Sequence, residues 1–288
     1  MTSTDETTTR RTRDGLSLQT YRWGASPAPR ARVVLVHGIA EHATRHRHVA
    51  QRLADAGIET NAADLRGFGA SDGPRAFVER WSLYHDDLED QIAAARAASP
   101  SSPVVLFGHS MGGLIALGYV LADAPRPLPD LLVLSAPAIA ANVPTWKRTL
   151  AAILGRVAPR FLIANELPSG GLSGDPAIAA GYAADPLNTH STTARLGMEL
   201  LNEQSRVQGR LAGIDRLPVP TYVLHGTADP IVPVSASALL EGMGNVTRRV
   251  YPDLHHEMHN EPEQGAVITD TRTWIVEALS GVTPAARR

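Results

Sequence analysis

A chain of 288 residues with 43% hydrophobic and 19% charged residues is long enough for one substantial core and too apolar to remain unfolded. A formal net charge of -2 with no basic stripe excludes tracking along a nucleic-acid backbone. There is no cysteine, which removes disulfides and thiolate metal sites, and no apolar run approaches the ~20 residues of a membrane-spanning helix.

The opening MTSTDETTTRRTRDG lacks the apolar core of a secretion signal. Residues 1–14 read as a disordered polar tail with solvated arginines, like the arginines at the C-terminus, and a cytoplasmic protein is expected. Residues 16–23 alternate as an edge strand does. A Val-rich strand over 32–36 ends in His37-Gly38-Ile39-Ala40-Glu41-His42, ahead of a helix expected over 45–56 and stopped by Gly57. A strand at 58–63 leads into DLRGFGASDG, residues 64–73, which reads as a turn too polar for the core. Lacking a P-loop lysine, it is not a phosphate cradle. Residues 81–98 place Tyr84, Leu88, Ile92 and Ala95 on one helical face, and the acidic Asp86, Asp87, Glu89 and Asp90 read as solvated.

Residues 103–122, PVVLFGHSMGGLIALGYVLA, carry the chemistry. An apolar strand runs into Gly108-His109-Ser110-Met111-Gly112 and then into apolar residues at helical spacing, which puts a serine at the apex of a strand-turn-helix. A further strand over 131–134 ends near Ser135. Strands alternating with helices at this rhythm imply an α/β fold, a mostly parallel sheet wrapped on both faces. The rhythm breaks over 138–213, which shows helical stretches, the loop LPSGGLSG at 167–174 and no convincing strand. This segment reads as a helical insertion over the sheet, and the core comprises 15–137 and 214–281. Strands at 219–224 and 247–251, a helix around 235–242 and a last helix near 263–279 complete the chain.

A serine hydroxyl is a weak nucleophile until a base takes its proton, and the base needs a carboxylate to fix its tautomer. Catalytic groups in such sheets collect past the carboxyl ends of strands. Asp229 and His256 each lie just past a strand that follows Ser110, and the order Ser, Asp, His is that of α/β-hydrolases. From the residues alone His255 and His259 remain open as the base, and Asp253 reads as a turn residue. The backbone N–H groups of Met111 and Ile39 are the expected oxyanion donors. His37 and His109 read as structural neighbours. His42, His46 and His48 have a spacing from which a metal site is conceivable, but no HExxH-like pattern accompanies them, so neither metal nor cofactor is expected.

The motifs HGIAEHATRH (37–46), DLRGFGASDG, GHSMGG (108–113), LSAPA (134–138), DPLNTH (185–190), HGTADPIVP (225–233) and YPDLHHEMHNEPE (251–263) together resemble the monoacylglycerol lipases and related lysophospholipase-like serine hydrolases of the α/β-hydrolase superfamily. The resemblance spans about residues 33–274. It implies His256 as the base and a helical cap over 138–213 shaping an apolar tunnel for one acyl chain. With no spanning run, membrane contact is expected to be peripheral and transient, through the cap. It also implies an alcohol pocket lined by Glu41, Arg45 and His259. The implied substrate is a monoacylglycerol or similar single-chain ester. A lysophospholipase, thioesterase or prolyl-type peptidase on the same scaffold, or a lipid-binding protein without turnover, are the other readings. The chain departs from the family at His46, where an aromatic residue is usual, and at Leu65 and Phe68.

Overall fold

The computed structural model describes residues 5–141, 143–165 and 170–281. Residues 167–169 of the expected loop, residues 1–4 and the C-terminal arginines lie outside the described residues. In chain order the elements are β1 (Glu6–Arg11), β2 (Ser17–Trp23), β3 (Ala31–Val36), α1 (Arg47–Ala54), β4 (Ile58–Ala63), α2 (Ser82–Ala98), β5 (Val104–His109), α3 (Met111–Val120), β6 (Leu131–Ser135), α4 (Thr145–Val157), β7 (Leu162–Ala164), α5 (Pro176–Ala184), β8 (Ser191–Thr193), α6 (Ala194–Leu211), β9 (Thr221–Gly226), α7 (Ser235–Ala238), β10 (Val246–Tyr251) and α8 (Gln264–Gly281).

The large sheet has the order β1-β2-β4-β3-β5-β6-β9-β10. Strands β4 through β10 in that order run parallel, while β1 and β2 are antiparallel additions at one edge. Central strands β3, β5, β6 and β9 are buried along their whole length. That is why they read as unbroken apolar runs: helices cover both faces of a parallel sheet. Alternate residues feed two cores. Val34, Val36 and Leu106 join the helices α2, α3 and α6 on one face, while Val33, Leu35 and Phe107 join α1 and α8 on the other.

The structure corrects four expectations. Residues 6–11 of the expected tail form β1, paired with β2 from Glu6 opposite Arg22 to Arg11 opposite Ser17. The threonine run supplies β-branched residues that favour extended backbone. Arg13 grips Glu89 and Asp90, and Asp14 pairs with Arg66, which also binds Asp87. The acidic face of α2 is thus a landing surface for arginines rather than a solvated one.

Residues 64–73 are also not a solvent loop, because Leu65 and Phe68 are core residues and Asp64 is buried. Asp64 accepts hydrogen bonds from the backbone N–H groups of Ala43 (2.8 Å) and Ala70 (2.9 Å), which explains how so polar a segment sits inside. The insertion does contain strands: β7 and β8 form a two-stranded antiparallel ribbon. Three residues each are too few for a periodic pattern to appear in the sequence.

Candidate active site

Strand β5 stops at His109 and α3 starts at Met111, so Ser110 alone makes the turn, with φ 53 and ψ -118. A left-handed backbone at a residue with a Cβ is strained and persists only where the surroundings over-determine it. Here the Ser110 N–H donates to Ser135 O (2.9 Å), and its carbonyl accepts from Leu114 (3.1 Å) and Ala138 (3.0 Å). A Cβ at Gly108 would meet Gly112 O at 2.4 Å, and one at Gly112 would meet Val36 O at 2.2 Å. Both glycines are therefore steric necessities that let α3 press against β3 and β5. Met111 is the first helical residue, so its N–H has no partner within the helix and lies at the positive end of the dipole.

The loops after β9 and β10 bring Asp229 and His256 together. His256 Nδ1 lies 2.7 Å from Asp229 Oδ2, and both residues are buried. An ionised aspartate can only accept from an imidazole N–H, so Nδ1 carries a proton, and in the neutral ring this tautomer leaves the lone pair on Nε2. Oδ1 of Asp229 accepts from the N–H groups of Ile231 (2.8 Å) and Val232 (2.9 Å), and His225 Nε2 stands 3.1 Å from Oδ2. Burial pushes the Asp229 carboxyl up, but the hydrogen bonds from His225 and His256 outweigh it and hold the group well below the usual carboxylate range. His255 points elsewhere, to Glu261 at 2.9 Å, so the choice left open between adjacent histidines is decided by which one meets a carboxylate beside Ser110.

The loop after β3 is held from both ends. Leu65 N–H donates to His37 Nε2 (2.9 Å), so Nδ1 bears the proton and donates to Gly38 O (2.7 Å). No peptide here is cis, so the N–H of the same peptide unit, that of Ile39, points the opposite way. Glu41 Oε1 accepts from the Gly38 N–H and from His46 Nε2 (3.0 Å), and Oε2 accepts from Arg45 Nε (3.1 Å). Burial raises the Glu41 carboxyl, yet the charge and hydrogen bond of His46 more than reverse this and keep it ionised.

A small cavity of about 30 Å³ is bordered by Ser110, His256, Ile39 and Glu41, with Leu172, Tyr182 and Ile231 as apolar wall. Arg45 and His259 do not border it. Arg45 is taken up by Glu41, by Glu257 (2.7 Å) and by the Tyr182 ring, 5.2 Å from its guanidinium carbon. His259 is buried behind the site, stacked on His46 at 4.6 Å and edge-on to His109 at 4.8 Å, and neither of its ring nitrogens finds a hydrogen-bond partner among the described residues. His42, His46 and His48 diverge to Asp185, Glu41 and His259 O respectively. His225, Glu257 and Tyr182 join the site without having been singled out from the sequence. The first two lie within four residues of Asp229 and His256, a proximity that could have flagged them, whereas Tyr182 sits in the insertion with no motif around it.

A serine on a strained strand-helix turn, with an aspartate-histidine pair delivered from later strands of a mostly parallel sheet, defines an α/β-hydrolase. The sequence profile of the serine aminopeptidase S33 family of hydrolases matches residues 27–263, and the chain belongs to that family. The monoacylglycerol lipase of Mycolicibacterium smegmatis is 38% identical over 263 residues, covering 89% of this chain and 92% of that protein. The monoglyceride lipase of Rattus norvegicus is 32% identical over 277 residues, covering 93% and 89% respectively. The crystal structure of Paleococcus ferrophilus monoacylglycerol lipase superposes with a TM-score of 0.80 at 29% identity, covering 91% of this chain and 99% of that one.

Proposed function

We propose that the protein hydrolyses monoacylglycerols to glycerol and fatty acid through an acyl-enzyme on Ser110. The observation that carries the reading is Ser110 and His256 bordering one cavity, with His256 Nδ1 fixed by Asp229 at 2.7 Å. Ser110 Oγ attacks the ester carbonyl carbon while His256 Nε2 takes its proton. The carbonyl oxygen becomes an oxyanion met by the N–H groups of Met111 and Ile39, which are pre-aimed by helix start and by His37. Collapse expels glycerol, protonated by His256, and water then repeats the cycle on the acyl-enzyme. Asp229 orients the imidazole and stabilises its cation. Glu41, ionised on the cavity wall, is placed to accept from a glycerol hydroxyl, while Arg45 acts through Glu41 and Glu257 rather than on the alcohol. Likeness to two monoacylglycerol lipases over most of their length supports an ester over the peptide bond that the family's name suggests.

Ser110→Ala tests the reading. Hydrolysis of a monoacylglycerol should fall by roughly 10⁴-fold or more with the fold intact, and labelling by a fluorophosphonate should vanish. Near-wild-type activity would remove Ser110 from the mechanism, and faster turnover of an N-terminal proline amide than of the ester would favour a peptidase.

Helix α4 supports contact with lipid at the point of substrate supply. Trp146, Leu150, Ile153 and Val157, spaced for one helical face, are 64%, 44%, 52% and 73% exposed, and Phe161, Leu162 and Ile163 extend the patch. An outward apolar face on an amphipathic helix suits the boundary between headgroups and acyl chains. No helix among the described residues is long and apolar enough to cross a membrane.

A further inference from the structure

Ala40, in the HGIAEH loop, is a second strained residue beside the site, with a left-handed φ of 65 at a buried position that carries a Cβ. Glycine takes this conformation freely, so at alanine something must hold it. Its carbonyl accepts two hydrogen bonds, both from the insertion: the Tyr182 hydroxyl at 3.0 Å and the Thr189 N–H at 3.2 Å. Tyr182 is itself fixed, packed with Ala40 and Leu172 and lying under the Arg45 guanidinium. The loop is thus clamped at Gly38 by core residues His37 and Glu41, and at Ala40 by α5 and the turn that follows it. Ile39 lies between the two clamps.

The geometry points to Tyr182 as a positioning residue: through the carbonyl of Ala40 its hydroxyl fixes the loop so that the Ile39 N–H meets the developing oxyanion. The inference rests on the proposed roles of Ser110 and Ile39. Its consequence is that the insertion governs the chemical step as well as access, because moving α5 off the core releases one side of the oxyanion loop.

Tyr182→Phe keeps the ring against Arg45 and Leu172 and deletes one donor to Ala40. The expected result is kcat on a soluble monoacylglycerol reduced about tenfold, KM within about twofold, and binding of an alkylboronic acid, which forms a tetrahedral adduct on the serine, weakened by about the same tenfold factor. An unchanged kcat, or a rise in KM alone, would overturn the inference and make Tyr182 a substrate contact or plain packing. The variant is repeated in an Ala40→Gly background, where glycine adopts the left-handed backbone without help. There the effect of Tyr182→Phe should shrink to about twofold or less, and an equal effect in both backgrounds would rule out the route through Ala40. If Ser110→Ala is inactive while Tyr182→Phe is not impaired, this inference alone fails. If Ser110→Ala is active, the site itself has been misread.

Discussion

Helices α3 and α4 are both rich in apolar residues and both begin just past a strand of the central sheet or the loop after it, yet they face opposite environments. Every residue of α3 is buried, whereas among the residues of α4 only Gly155 is. In α3 the lack of a polar face follows from its position, pressed against β5 and β6 with α6 behind it, so that its first turn can hold Ser110 and Met111 rigidly. Helix α4 packs along α6, tightly enough at Gly155 that a Cβ there would meet Met198 at 2.7 Å, and turns Trp146, Leu150, Ile153 and Val157 outward. Full burial of a Leu, Ile, Val or aromatic side chain contributes about 1.5–3 kcal/mol, so the exposed row leaves several such contributions unrealised until another apolar phase covers it. Rigidity in one helix suits the proposed chemistry, and the uncovered apolar surface of the other is where we propose that lipid is met.

Variants should separate the two regions by the kind of substrate they affect. In the core, Asp229→Asn leaves the shape but removes the charge that fixes the His256 tautomer, and kcat should fall about 10⁴-fold alike for a dissolved short-chain ester and for long-chain monoacylglycerol in vesicles. A loss confined to vesicles would mean that Asp229 is not part of the proton relay. On α4, replacing Trp146, Ile153 and Val157 together by serine should leave the dissolved ester within about twofold and lower the vesicle rate about tenfold, with weaker co-sedimentation. Equal rates on vesicles would show that the exposed face has no part in lipid contact.

The smallest effect concerns the histidines behind the site. Burial lowers His48, His109 and His259 below their ordinary 6.5, so the folded protein keeps them neutral. Below about that pH the unfolded chain takes up more protons than the folded one. Stability present above pH 6.5 is therefore lost on acidification, by up to about 1.4 kcal/mol per pH unit for each such histidine. Denaturant midpoints at pH 7, 6 and 5 should fall, and His259→Leu should flatten the fall by about one histidine's share. An identical slope in the variant would mean that His259 is protonated within the folded protein.

Much of the fold was legible because buried parallel strands must be apolar throughout and the serine turn demands small residues at fixed offsets. Ser110, Asp229 and the run of histidines around His256 stand out that way as candidates. What misled was composition read without partners. The threonine and arginine run at the N-terminus resembled a tail until β2 and the acidic face of α2 supplied its pairing, and the polar 64–73 segment resembled a surface loop until Asp64 collected its backbone donors.

The chain order of the proposed reacting groups, and residue types able to perform the chemistry, are legible in the sequence alone, since covalent spacing and side-chain chemistry are local properties. Tertiary structure decided which histidine meets Asp229, that Arg45 is committed to Glu41 and Glu257, that His259 is withdrawn behind the site, and that Tyr182 reaches Ala40 across 142 positions. Each of those is a contact between segments distant in the chain, and which distant groups come within hydrogen-bond reach is fixed only when the two cores close around the sheet.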